Sequence, residues 1–240
     1  MAQGWQTPGW QTGAKTIDRA EYDAGLRTYM QRVFGYMAAA LVITGIVAFF
    51  VGNSPALLQT LFATPLKWVV MLAPLGVVLL FSAGINRMSF ATAQAVFWGF
   101  AGLMGLSISF IFAVYTGASI GRVFFITAGM FLSAALYGYT TKRDLATMGG
   151  FLMMGAFGLV IASVVNIFLG STQLQWIVSV LSVVIFTGLT AWDTQNLKES
   201  YNESLGGESL GKMALMGALS LYLNFINIFM SLLRLMGNKE

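Results

Sequence analysis

Seven apolar runs divide this chain, at residues 33–51, 66–86, 91–115, 120–139, 145–170, 174–196 and 213–236. Each has about the 20 residues that a helix needs to cross a hydrocarbon core. In lipid the backbone must satisfy its own hydrogen bonds, and a helix does so within one segment. With 57% hydrophobic and 9% charged residues, and a mean hydropathy of +0.76, the chain is too apolar for a soluble domain of 240 residues. The expected fold class is an all-α membrane protein with seven transmembrane helices at 33–236. A flexible cytoplasmic tail is expected at 1–32 and a short C-terminal tail at 237–240. Connectors are short, apart from 52–65, with an apolar patch at 56–63, and the charged stretch 197–212. Helices joined so tightly pack as one bundle.

The chain has no cysteine and no histidine. That removes disulfides, thiolate metal sites, imidazole-based triads and most zinc chemistry. Carboxylates must carry any proton or cation chemistry, and within the apolar runs there is one, Asp193, in Thr190-Ala-Trp-Asp-Thr-Gln-Asn196. An acid at bilayer depth costs about 2.5–3.5 kcal/mol on insertion scales, so it marks a functional candidate. Aspartyl proteolysis needs two such acids and a Ser–His pair needs histidine, so an intramembrane enzyme is not expected.

Lys and Arg divide unevenly between the two membrane faces. Lys15, Arg19, Arg27, Arg32, Arg87, Lys142, Arg143, Lys198 and Lys212 fall on the side of the amino terminus, against Lys67, Arg122, Arg234 and Lys239 opposite. Nine against four places the amino terminus in the cytoplasm and, after seven crossings, the carboxyl terminus outside. The first residues lack the pattern of a secretory signal. They carry a short duplication, Gly4-Trp-Gln-Thr7 and Gly9-Trp-Gln-Thr12, whose plainer reading is chance in a disordered tail.

In the last span Ser220, Asn224, Asn227, Ser231 and Arg234 recur every three or four residues, one stripe along a helix. A polar seam faces other helices or water rather than lipid, so the seventh helix is expected at the centre. Thr187, Thr190 and Asp193, three apart on the sixth span, supply a facing set. The serines and threonines are read mainly as hydrogen-bonded cross-links between helices, Asp193 and Asn224 as functional. Gly99, Gly102, Gly105 and the pair Gly117 and Gly121 are read as sites of close helix approach.

Weaker patterns are set aside. The segment 206–212 has the G-x-x-x-x-G-K spacing of a phosphate loop, but Met213 follows where Ser or Thr would bind magnesium. A flexible connector is expected there. Asp144 is expected to cap the fifth span's helix. Asn202-Glu-Ser204 fits a glycosylation sequon by chance, and the basic residues are too scattered for a nucleic-acid groove.

Leu221-Tyr-Leu-Asn-Phe-Ile-Asn-Ile-Phe229 with Leu232-Leu-Arg-Leu235, Thr190-Ala-Trp-Asp-Thr-Gln-Asn196 and Thr141-Lys-Arg-Asp-Leu145 together resemble the Bax inhibitor-1 (TMBIM, YccA-like) family. The resemblance covers the chain beyond its tail. It implies six helices around a seventh, and a calcium leak gated by pH in some members. It further implies a proton-holding aspartate pair on the last two helices, and an arginine near the end of the second helix that latches one of them. Asp193 matches the first aspartate. Counting back from Gly105 makes Arg87 the implied latch. At the second aspartate this chain has Asn224.

Two close carboxylates share a proton, and that makes a pH switch; one carboxylate alone does not. The expected device is a plug of Asp193, Arg87 and Asn224, weakly pH-dependent near neutrality, on the cytoplasmic side of a path lined by Thr190, Ser220, Asn227, Ser231 and Arg234. Calcium takes 6–8 oxygen ligands, usually with several carboxylates. Asp193 with amides and carbonyls could therefore hold the ion only in transit. Two functions are weighed: a cation leak, with calcium as permeant ion and no cofactor, and a membrane regulator. In the second, the chain binds a partner such as an inner-membrane AAA protease, a role that YccA-like relatives suggest, and the tail is the handle. Both place the chain among the lipids of a bacterial inner membrane.

Overall fold

A computed structural model describes residues 19–202 and 205–239. Helix α1 (Arg19–Gly52) is followed by a short α2 (Pro55–Phe62) and by α3 (Leu66–Gly84), which runs on into a 3-10 turn at Ile85–Arg87. Then come α4 (Phe90–Ile108), the single turn α5 (Ile111–Val114), α6 (Gly117–Thr140), α7 (Ala146–Leu169), α8 (Thr172–Glu199) and α9 (Gly207–Met236). Among the described residues seven helices are long and apolar enough to cross a membrane, and strand pairing is limited to one isolated bridge, Tyr115 to Lys239.

The amino-terminal segment differs from its expected form. Residues 19–32 belong to α1 and not to a flexible tail. Leu26, Tyr29, Met30 and Val33 recur at helical spacing and are all buried, which anchors the helix well before its apolar run begins. Tyr22 and Tyr29 pack their rings on Tyr201 in the α8–α9 connector, at 5.3 and 5.5 Å between centroids. The rest of the expected tail, residues 1–18 with the duplication, lies outside the described residues, as does part of the sequon at 203–204. The segment 206–212, expected as a flexible connector, forms the first turns of α9 from Gly207 onward, where Lys212 and Glu208 pair at 3.1 Å across one turn.

Helix α9 is the hub. Inside the protein 67% of its apolar window is buried, against 39% or less in every other span. Around it stand α8, α1, α6 and α4, while α3 and α7 pack chiefly on α4 and α8. The outermost surface is apolar: Phe151, Phe157 and Phe168 of α7 are 70%, 67% and 85% exposed. Lipid solvates such a face, whereas water would not.

Polar joints fasten this bundle into two groups. In the first, Tyr222 of α9 donates to Thr44 of α1 at 2.7 Å, and the Thr44 hydroxyl donates to the Ala101 carbonyl of α4 at 2.8 Å. A Cβ at Gly105 would lie 2.7 Å from the Thr44 carbonyl, so α1 and α4 touch backbone to backbone there. In the second, the Gln195 side chain of α8 spans the α6–α7 turn, donating to the Arg143 carbonyl and accepting from the Leu145 amide, both at 2.8 Å. Gly138 of α6 lies against the Ala191 carbonyl, where a Cβ would collide. Asp144 accepts from the Ala146 amide at 2.8 Å, at the start of α7. Of the glycines expected at close approaches, Gly105 serves that role. Gly99, Gly102, Gly117 and Gly121 have open space where a Cβ would stand.

Candidate functional site

Asp193 faces α9 from the last third of α8 and is 8% exposed. Its Oδ2 accepts from the Ser220 hydroxyl at 2.6 Å and from the Asn224 amide at 2.7 Å. Ser220 and Asn224 are one helical turn apart, so both reach the same oxygen. An oxygen that accepts twice has no proton to give. The bonds therefore run from α9 to α8 and join the two fastened groups of helices near the middle of α9; a second polar link lies at its far end, where the Asn238 amide donates to the Ser119 hydroxyl of α6 at 2.9 Å.

Between Asp193 and the face at which α1 begins, the bundle opens into a cavity of about 530 Å³. Asp193 and Ser220 close its inner end, while Asn86, Ser200, Ser209 and Lys212 bring polar groups to its outer part. The lysine is paired with Glu208, so its charge is partly compensated at the mouth. Tyr29 also lines the cavity, and its buried hydroxyl has no hydrogen-bond partner among the described residues. No cluster of three or more acidic, histidine or cysteine side chains occurs among the described residues. Oxygens around one carboxylate suit a cation in passage rather than a tightly held one.

The structure separates the remaining expected residues. Arg87 is exposed in the 3-10 turn and makes no ion pair with Asp193; the groups on Asp193 are neutral donors. The turn that follows α3 sends its side chain outward while its neighbour Ile85 is buried. Thr190 is fully buried, with its hydroxyl bonded to the Phe186 carbonyl of its own helix at 2.8 Å. Thr187 is half-buried, and its enclosed hydroxyl has no hydrogen-bond partner among the described residues. Asn227 bonds back to the Leu223 carbonyl and lines a different cavity of about 270 Å³, beside Met71, Pro74 and Ser107. Ser231 is buried. Arg234 is exposed at the opposite membrane face, in a pocket of about 140 Å³ with Gln175, Trp176 and Lys239. The polar stripe of α9 thus serves several surroundings, and only its first two members meet Asp193.

Tyr29 and Lys212 are contributors that sequence reading did not single out. Spacing within α1 gave a usable sign of the first, since Tyr29 shares a face with Leu26 and Val33. Lys212 gave none, as its place in the cavity depends on α9 starting at Gly207.

A family model described as the inhibitor of apoptosis-promoting Bax1 matches residues 26–240. The chain belongs to the Bax inhibitor-1 family. Among its relatives, the Escherichia coli inner membrane protein YbhL is 44% identical over 220 residues, 90% of this chain and 94% of the relative. The Rickettsia prowazekii protein RP147 is 44% identical over 230 residues, covering 96% and 98% of the two chains. A Streptococcus pyogenes membrane protein, SpyM3_0260, is 31% identical over 221 residues. The family assignment and the seven apolar helices together make this a multi-pass membrane protein. Its matched region takes in every span and both sides of the Asp193 joint.

Proposed function

We propose that this protein is a cation leak of the inner membrane, with calcium as permeant ion, held shut by the joint of Asp193 with Ser220 and Asn224. The observation that carries this reading is a buried carboxylate at the inner end of a cavity of about 530 Å³. One negative group behind polar oxygens attracts a cation and offers too few ligands to retain it. Beyond Asp193, Asn224 and Ser231 are buried, and passage requires α9 to shift against α8. The same two bonds resist that shift. Asp193 therefore has two roles, drawing the ion in and keeping the helices together.

The face at which α1 begins is cytoplasmic in this proposal, supported by the excess of Lys and Arg there, and the choice of the inner membrane is supported by the relative YbhL. The regulator reading, with an AAA protease as partner, takes residues 1–32 as its handle, of which 1–18 lie outside the described residues and 19–32 belong to α1.

Proteoliposomes containing the full chain test the leak. Asp193→Asn is expected to raise the total leak, because the joint weakens, and to lower the preference for calcium over potassium, because the charge is gone. A variant matching the unaltered protein in both rate and preference would remove Asp193 from the gate. Flux no greater than that of empty liposomes would remove the leak itself.

A further inference from the structure

Helices α1 and α6 are neighbours around α9 but make almost no contact with each other. The space between them is a groove of about 610 Å³. The two helices run antiparallel, as the first and fourth spans of the bundle, so Arg27 and Tyr139 mark one end of the groove and Phe34 and Leu132 the other. Seven residues on each helix separate these ends, about 10 Å along the axis.

The chemistry changes along that length. Near the amino-terminal face, Arg27 and Gln31 are exposed and Tyr139 is half-buried. Lys198 stands beside the same rim: its Nζ donates to the Tyr139 carbonyl at 2.9 Å and lies 5.2 Å from the ring centroid. No carboxylate lines the groove. Asp23, one turn before Arg27, forms no ion pair with it, and neither does any other acid among the described residues with Arg27 or Lys198. Deeper in, Leu132 and Leu136 form exposed apolar walls over a floor of buried Met30 and Ala135.

Two cations at the rim above apolar walls that open sideways between helices match a phosphate attached to an acyl chain. Basic pockets between transmembrane helices at one membrane face hold anionic head groups on the same physical grounds. A zwitterionic head group would bring its ammonium near Arg27 and Lys198 with no acid in the groove to receive it. We propose that the α1–α6 groove is a binding site for one anionic phospholipid, with its phosphate at Arg27 and Lys198 and an acyl chain along Phe34, Leu132 and Leu136. The site is separate from the Asp193 cavity and does not depend on the protein being a leak.

Native mass spectrometry of the full chain, released from nanodiscs of equal dioleoylphosphatidylglycerol and dioleoylphosphatidylcholine, tests the site. One phosphatidylglycerol is expected to be retained preferentially, with about a fivefold preference from each of the two cations. The double variant Arg27→Gln/Lys198→Gln should fall to near parity. Leu136→Trp, which fills the groove and leaves the charges in place, should lose the retained lipid while circular dichroism and size-exclusion behaviour stay unchanged. Equal retention of both lipids would overturn the proposal. So would a phosphatidylglycerol preference that survives the double variant, or a lipid-free dimer that covers the groove.

Discussion

Replacing Asn224 with leucine keeps nearly the same shape in the centre of the bundle and removes one of the two donors on Asp193 Oδ2. A hydrogen bond to a charged group contributes about 1.5–3 kcal/mol, and cross-helix bonds in membranes fall toward the low end because the alternative state also finds partners. Taking about 1.5 kcal/mol, loss of the bond shifts the balance from shut to open by roughly tenfold, since each 1.4 kcal/mol is a factor of ten. Calcium efflux from proteoliposomes should rise by up to that factor. Ser220→Ala, which removes the bond at 2.6 Å, should act in the same direction. The decisive measurement is a double-mutant cycle. In an Asp193→Ala background both bonds are already lost, so adding Asn224→Leu should leave efflux unchanged. If the two substitutions instead multiply, or if Asn224→Leu alone stays within about twofold of the unaltered protein while remaining folded, the joint does not hold the path shut.

Further outcomes follow from the same geometry. Asn224→Asp places a second carboxylate within hydrogen-bond reach of the first; two such groups share a proton, so efflux measured from pH 5 to 8 should become steeply pH-dependent where the unaltered protein varies weakly. Arg87→Gln should leave efflux unaltered, because the arginine is exposed and unpaired with Asp193; a severalfold rise would reinstate the latch. Gly138→Leu drives a side chain into the Ala191 backbone, and thermal unfolding in detergent should show a loss of about 3 kcal/mol, the upper end of what overpacking costs. Tyr222→Phe removes the donor to Thr44 and should cost about 1 kcal/mol in the same assay.

The spans were legible because a bilayer imposes length and hydropathy on each helix directly. The Asp193–Asn224 meeting was legible for a related reason: few polar groups occur at that depth, and they seek one another. Ser220 followed from its position one turn before Asn224. The stripe misled farther along, since Asn227 and Arg234 share its helical face but not its neighbours. A helical wheel gives an azimuth, whereas the partner at each level depends on tilt and crossing. Arg87 shows the same limit, because the 3-10 turn after α3 decides its direction. The start of α1 was misplaced because residues 19–32 are too polar to read as a span, although Leu26, Tyr29 and Met30 within them and Val33 just beyond anchor the helix.

The Thr44 relay and the Gln195 clasp have a mechanical consequence. Directional bonds tie α1 and α4 to α9, and tie the α6–α7 turn to α8, whereas the contacts of α6 on α9 include aromatic ring packing such as Phe131 against Phe225. Oily surfaces can slip past one another at little cost, but a bond with a fixed direction must break. The molecule is thereby prepared to move as two blocks along a greased seam, pinned at Asp193 and hinged at one end, where Asn238 bonds to Thr116 and Ser119 at the start of α6.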